Sequence, residues 1–271
     1  MTKLLWDSDG KIGIFEKIIA FLSKQVETPR FYGLFHIVSL LLIFAVCALI
    51  ILKRKKLTKK SVSRFIFICG LIMLAFEIYK QLIITYEPST DRWIYEYFAF
   101  PFQFCSTPTY IAIISFFFYK KKTVYNAFLS FLATYGMIAA IVVLFFGTGT
   151  VLCPSLGVNI QTMVHHGLML IMSVAILASS SIKEDKRSLI GASAVFLPLL
   201  VIAMILNTCI KGLDLFYLSP DSTFVYKSIS DIFFGGALPY PVYLIGYVIL
   251  FTAGSALILF VCHKIKNKKA N

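Results

Sequence analysis

Charge is scarce in this sequence. Only 14% of its 271 residues are Asp, Glu, Lys or Arg, where soluble domains carry about a quarter. That shortage excludes a disordered chain, which stays open by being charged and poor in apolar residues, and an ordinary soluble enzyme. Cysteine is sparse too: six in 271 residues do not make a small disulfide-stapled scaffold. Fifteen glycines exclude a collagen-like fibre. There is no CxxC pair and no HExxH run to build a zinc site. A GxSxG elbow, a glycine-rich phosphate loop and a dinucleotide fingerprint are likewise missing, and Gly147-Thr148-Gly149 reads as a turn. No metal and no organic cofactor is expected.

What the chain has in excess is apolar length. Its hydrophobic fraction is 59% and its mean hydropathy is +0.84. A helix needs about 20 apolar residues to cross about 30 Å of hydrocarbon. Seven stretches qualify: Phe31–Leu52, Phe65–Tyr86, Phe100–Tyr119, Val124–Phe146, Ile160–Ile182, Leu189–Ile210 and Leu238–Val261. Together they cover more than half the chain and leave no room for a separate soluble domain. Unbroken runs such as Val38–Leu52 contradict the alternating segments of a β-barrel. The expected fold is all-α: a polytopic membrane protein of seven transmembrane helices. An internal repeat of the kind many transporters carry is not visible.

Basic residues set the orientation. The first, third and fifth connections and the C-terminal tail hold seventeen of them, including Lys53, Arg54, Lys55, Lys56, Lys120, Lys121, Lys183, Lys266 and Lys268. The opposite side has eight, against ten acids. The N-terminus is therefore expected outside and the C-terminus inside. The net charge of +13 is a topology signal beside anionic lipid, and no nucleic acid is needed to explain it. Three parts follow: an outer N-terminal segment 1–30, a transmembrane domain 31–262 and a basic cytoplasmic tail 263–271. Ile12, Phe15, Ile18, Ile19 and Leu22 recur at helical spacing, which predicts an interfacial helix over 12–23. Phe224, Ile229, Ile232 and Phe233 predict a second one in the long connection 211–237. No cleavable signal peptide is visible, and the expected location is the cell membrane.

Polar residues inside spans are functional candidates by default. His36 lies in the first, Glu77, Lys80 and Gln81 in the second, Gln103 and Cys105 in the third, His165 and His166 in the fifth, and Asn207 in the sixth. At 1.5 Å per residue, His36, Cys105, His166 and Lys80 lie about 7–9 Å below the outer ends of their helices, Asn207 about 5 Å and Glu77 about 13 Å. Matched depth on several helices predicts one polar cavity opening outward. Asn159, His166, Ser173 and Ser180 repeat every seven residues and predict one polar stripe. Lys80 reaches Glu77 at i+3. Pro108 cannot donate to the carbonyl of Phe104, which predicts a bare acceptor and a kink beside Cys105.

A Cys with a His in reach is the minimum for a thiolate nucleophile, and in a lipid-exposed cavity the nearest reactive carbonyls are acyl esters. Cys105, His166, His36 and Glu77 are the catalytic candidates, with Gln103, His165, Asn207, Lys80 and Gln81 lining the substrate. Asn207 or the backbone near Pro108 is the expected oxyanion partner. The alternative is a non-catalytic small-ligand sensor or transporter. The scarcity of polar residues in the inner half of the bundle disfavours transport. Membrane lipids are the expected environment and substrate, and no obligate protein partner is evident.

Several short patterns in order carry a family resemblance: Phe31-Tyr32-Gly33-Leu34-Phe35-His36, Glu77, Phe100-Pro101-Phe102-Gln103-Phe104-Cys105-Ser106, His165-His166-Gly167, Asn207 with Leu213-Asp214-Leu215-Phe216-Tyr217-Leu218, and Leu238-Pro239-Tyr240-Pro241-Val242-Tyr243. Over about 30–260 the chain resembles the bacterial YwaF-type membrane proteins, which are similar to the transmembrane-protein-164 acyltransferases. The resemblance implies seven helices and transfer of fatty acyl groups between phospholipids. In the acyltransferase branch a Cys directly follows the span-three proline and a His follows that Cys. Here Phe102 follows Pro101, Gln103 stands where the branch has its His, and the nearby thiol is Cys105, one helical turn on. The span-five His matches directly.

Overall fold

A computed structural model describes residues 18–19, 23–87, 92–147, 151–220 and 225–268. Nine helices follow in order among these: α1 (Leu34–Leu52), α2 (Lys59–Thr85), α3 (Thr107–Phe117), α4 (Lys122–Ala133), α5 (Tyr135–Phe146), α6 (Leu156–Ala178), α7 (Lys186–Cys209), α8 (Val225–Phe234) and α9 (Tyr240–Lys268). The only strands among the described residues are β1 (Tyr86–Glu87) and β2 (Arg92–Trp93), an antiparallel pair two residues long. The chain is all-helical in character, as its apolar runs require. The helix expected over 12–23 falls outside the described residues except for Ile18, Ile19 and Ser23.

Among the described residues, six helical segments are long and apolar enough to cross a membrane: α1, α2, α4 with α5, α6, α7 and α9. The third expected span is the exception. Its regular part is the eleven-residue α3, about 16 Å long at 1.5 Å per residue. The residues before it, Phe100–Ser106, are irregular. Pro108 explains the difference. It has no N–H to give, so it suits the first turn of a helix and not its interior, and α3 begins one residue before it. The expected bare carbonyl is also filled, because Thr107 Oγ1 donates to the Phe104 carbonyl at 2.9 Å.

Helix α6 is the hub. It packs against α1, α2, α4 and α5, and 78% of its apolar window is buried against 11% for α9. The outward faces of the other helices are apolar: Leu41, Ile190, Leu250 and Leu257 are each at least 60% exposed. A water-soluble bundle would bury such residues, while a lipid-facing one need not. Where α2 and α3 meet, Gly70 allows close approach; a Cβ there would sit 3.0 Å from the Ala112 Cβ and 2.9 Å from Ile113 Cγ1.

The intramembrane hydroxyls and amides mostly satisfy broken backbone, as a bilayer demands. The helix break at Thr134 deprives the Leu132 carbonyl of its usual partner, and Ser173 Oγ donates to it at 2.7 Å. Asn159 brackets Cys153, accepting from its N–H at 2.9 Å and donating to its carbonyl at 2.8 Å. The seven-residue polar repeat on α6 thus consists partly of structural anchors, and Ser180 lies beyond the helix end with φ +53°.

Candidate functional site

Cys105 is the last residue but one of the irregular approach to α3. Because that backbone is not helical, its carbonyl points away from the helix ladder and accepts from His165 Nε2 at 3.0 Å. This contact fixes the proton of His165 on Nε2 and leaves Nδ1 as a bare acceptor, buried and without a partner. His166 repeats the arrangement with its nitrogens exchanged. Its Nδ1 meets the Thr162 carbonyl at 2.8 Å, so Nδ1 holds the proton and the buried Nε2 is the uncommitted lone pair. A neutral imidazole with one N–H held by a carbonyl and the other nitrogen free is the form a general base takes.

A charged pair on α2 lies within electrostatic range of the two histidines. Glu77 Oε1 accepts from Lys80 Nζ at 2.8 Å and from Gln81 Nε2 at 2.9 Å, while Oε2 is buried and unpaired. Gln81 also donates to the Ala99 carbonyl, tying α2 to the approach of α3. Glu77 and Lys80 both act electrostatically on Cys105 and on His166, and Lys80 acts on His165. The buried hydroxyl of Thr109 is another unpaired polar atom. Unsatisfied buried polar groups are few in native proteins and each calls for an explanation.

On its other side Cys105 faces an apolar cavity of about 530 Å³, whose walls come from α5, α8 and α9 and from Tyr217. Its size falls in the range of small-molecule pockets. The amphipathic α8 covers it, with Val225, Ile229 and Phe234 toward the cavity and Ile232 and Phe233 more than 70% exposed. Gly235 and Gly236, at φ +57° and +81°, reverse the chain after this helix, a conformation that favours glycine. The helix expected in the connection 211–237 is this one; Phe224 lies outside the described residues.

The segment 213–219 forms the rim. Gln103 brackets it, donating from Nε2 to the Asp214 carbonyl at 3.0 Å and accepting from the Phe216 N–H at 3.0 Å. Asn207 does the same at Leu215, accepting at 2.8 Å and donating at 3.0 Å. The Tyr243 hydroxyl donates to the Tyr217 carbonyl at 2.8 Å, and that of Tyr240 to the Leu218 carbonyl. These contacts hold Phe216 and Tyr217 at φ +58° and +56°, a region non-glycine residues enter at some energetic cost.

Of the nine residues singled out from sequence, Glu77, Lys80 and Gln81 form one bonded group, and His165, beside His166, meets the Cys105 carbonyl; neither histidine bonds the Cys105 thiol. Gln103 adjoins them, but its amide is committed to the rim, as is that of Asn207. Neither Asn207 nor the Phe104 carbonyl, itself an acceptor, is arranged to hold an oxyanion. His36 stands apart. Its Nε2 donates to the Leu144 carbonyl at 3.1 Å, its Nδ1 accepts from the Tyr32 N–H at 3.1 Å, and its ring stacks on Phe31 at 4.2 Å. Both nitrogens are engaged, Nε2 in joining α1 to α5 and Nδ1 in holding the turn that leads into α1. Sequence reasoning missed Tyr217 and Tyr247, which line the cavity with Cys105. The signal was the aromatic stripe Tyr240, Tyr243, Tyr247 and Phe251 along α9.

Among the described residues no group of three His, Cys, Asp or Glu is placed to hold a metal ion. No curated protein and no solved structure matches the chain. The model of the TMEM164 family does match, over residues 31–259. That span takes in α1 to α7, the rim, α8 and most of α9, so every residue of the site lies within it. The chain is a multi-pass membrane protein that belongs to the TMEM164 family.

Proposed function

We propose that the protein transfers acyl groups from phospholipid esters at Cys105, as an acyltransferase or an acyl hydrolase. One observation carries this reading: Cys105 lines an apolar cavity, and its carbonyl is held by a buried histidine pair whose remaining lone pairs are uncommitted. An acyl chain fits the cavity's apolar walls, and a polar solute does not, which favours this reading over a transporter or solute sensor.

In the proposed reaction His166 Nε2, the free lone pair, takes the thiol proton. The thiolate attacks the ester carbonyl, the ester C–O bond breaks, and the lysolipid leaves with the proton from the imidazole. A second lysolipid hydroxyl, or water, then attacks the thioester and restores the thiol. His165 holds the Cys105 carbonyl and so fixes the nucleophile's backbone. The Glu77–Lys80 pair supplies the charge that orients the cluster. Tyr217 and Tyr247 are the proposed hydroxyl donors to the oxyanion, in place of Asn207. Irregular backbone at membrane depth, tolerated where it lines a cavity, supports α3 with Phe100–Ser106 as a seventh span. The charge asymmetry supports an outer N-terminus and a cell-membrane location.

The test is turnover of a labelled phospholipid donor and a lysophospholipid acceptor by purified protein. Cys105→Ser and His166→Gln are expected to lose most activity alike, since nucleophile and base act as one unit. Full activity in Cys105→Ser would refute the assignment and move the chemistry to a hydroxyl, with Thr109 the next candidate.

A further inference from the structure

A second cavity, of about 410 Å³, lies at the opposite, basic end of the bundle. It sits where α1, α6 and α9 end together. The helix axes therefore direct their partial negative charge here, which favours cations. Its floor is apolar, from Ile51, Leu177 and Ile265, and its rim holds Arg54, Ser180 and Lys266.

The two cations differ. Lys266 is compensated, since its Nζ pairs with Glu184 and donates to Ser180 Oγ at 3.0 Å. Ser180 reaches this position because it takes the left-handed conformation just past the end of α6, a place glycine usually fills. Arg54 is different: it has no carboxylate partner among the described residues. It is also half-buried, while its neighbours Lys53, Lys55 and Lys56 are exposed. A topology signal alone requires no burial. An uncompensated guanidinium turned into a cavity with an apolar floor matches a phosphodiester with hydrocarbon attached, because its fork pairs two phosphate oxygens.

We infer that this cavity binds an anionic phospholipid, its phosphodiester on Arg54 and one acyl chain along Ile51, Leu177 and Ile265. The net charge of the rim, one positive after the Lys266–Glu184 pair, matches one phosphodiester. Free phosphate would leave the apolar floor in contact with water, so the lipid is the occupant. Basic pockets between transmembrane helices bind lipid headgroups by this chemistry. The inference does not depend on the acyl-transfer reading, because binding is measured without turnover.

The experiment is native mass spectrometry of the purified full chain with an equal mixture of phosphatidylglycerol and phosphatidylcholine, on wild type, Arg54→Gln and Lys55→Gln. General surface attraction is worth roughly fivefold per cation and is the same for either variant. A charge-assisted site predicts a loss of phosphatidylglycerol preference of at least about tenfold in Arg54→Gln and a smaller loss in Lys55→Gln. Equal losses, or no preference in the wild type, would overturn it. Thermal unfolding in phosphatidylcholine discs, with and without inorganic phosphate, separates the sources. Stabilisation by phosphatidylglycerol alone is expected, and equal stabilisation by phosphate would overturn the lipid occupant. Should Arg54→Gln fail to fold, the wild type still decides: one phosphatidylglycerol retained per chain supports the site and none refutes it.

Discussion

Gly246 offers a direct way to shorten the proposed acyl cavity. It lies on the cavity wall in α9, and a Cβ built on it meets nothing within 4 Å. A larger side chain there enters empty space without displacing backbone. Leucine is also a better helix former than glycine by roughly 0.8 kcal/mol, so Gly246→Leu should fold at least as well as wild type. The added side chain takes the room of two or three methylenes of substrate. At about 0.8 kcal/mol per buried methylene, that is about 1.6–2.4 kcal/mol of lost binding for a chain long enough to reach it. At about 1.36 kcal/mol per factor of ten, kcat/KM for long-chain donors should fall about 15- to 60-fold. Donors too short to reach α9 should be unaffected. The assay is kcat/KM over a series of donor chain lengths, wild type against Gly246→Leu, with Gly246→Ala intermediate. A uniform loss at every length would mean damage to the catalytic cluster. No loss at any length would mean that the acyl chain lies elsewhere, and the cavity reading would be wrong.

Other expectations follow from the contacts. His36→Ala should lower thermal stability by about 2–5 kcal/mol, since it strands the Leu144 carbonyl and the Tyr32 N–H and opens a cavity, yet leave turnover per folded molecule near wild type. A loss of activity without a loss of stability would return His36 to the catalytic set. Gln103→Leu should leave the Asp214 carbonyl and the Phe216 N–H unpaired, costing roughly 2–6 kcal/mol and loosening the rim, seen as faster hydrogen exchange over 213–219. In a cysteine-free background, single cysteines at Phe98 and Lys121 should react with an impermeant maleimide from opposite faces. Reaction of both from one face would sink the seven-span arrangement.

Most of the fold was legible because bilayer thickness converts directly into apolar run length. Six of the seven expected runs correspond to helical segments long enough to cross. The third was harder to read. Hydropathy counts apolar residues whether or not they are helical, so it could not separate the irregular Phe100–Ser106 from α3. A proline at 108 could equally have meant a kink or a start. For the site, depth grouped Cys105, His165, His166 and the Glu77–Lys80 pair around one polar cavity, but the cavity that Cys105 lines is apolar and includes none of the other four. Depth could not separate His36 and Asn207 from them. A side chain that binds substrate and one that repairs broken backbone are the same residue type at the same level. What distinguishes them is the backbone group each finds, the Leu144 carbonyl at the end of α5 for His36 and the Leu215 backbone for Asn207, and those partners are far off in sequence or in segments without a period. Tyr217 was obscured for the same reason: its left-handed backbone is imposed by Gln103, Asn207, Tyr240 and Tyr243 and leaves no mark on its own sequence.

The proposed reaction turns on acylation of Cys105. Purified protein incubated with a phospholipid donor and no acceptor, quenched in acid and measured by intact mass, should gain the mass of one acyl group. Hydroxylamine should remove it, as it does a thioester, and peptide mapping should place it on Cys105. Cys105→Ala should gain nothing, while Cys47→Ala should gain the full adduct. An adduct that persists in Cys105→Ala, or a wild-type enzyme that turns over donor through no hydroxylamine-sensitive adduct, would contradict the account.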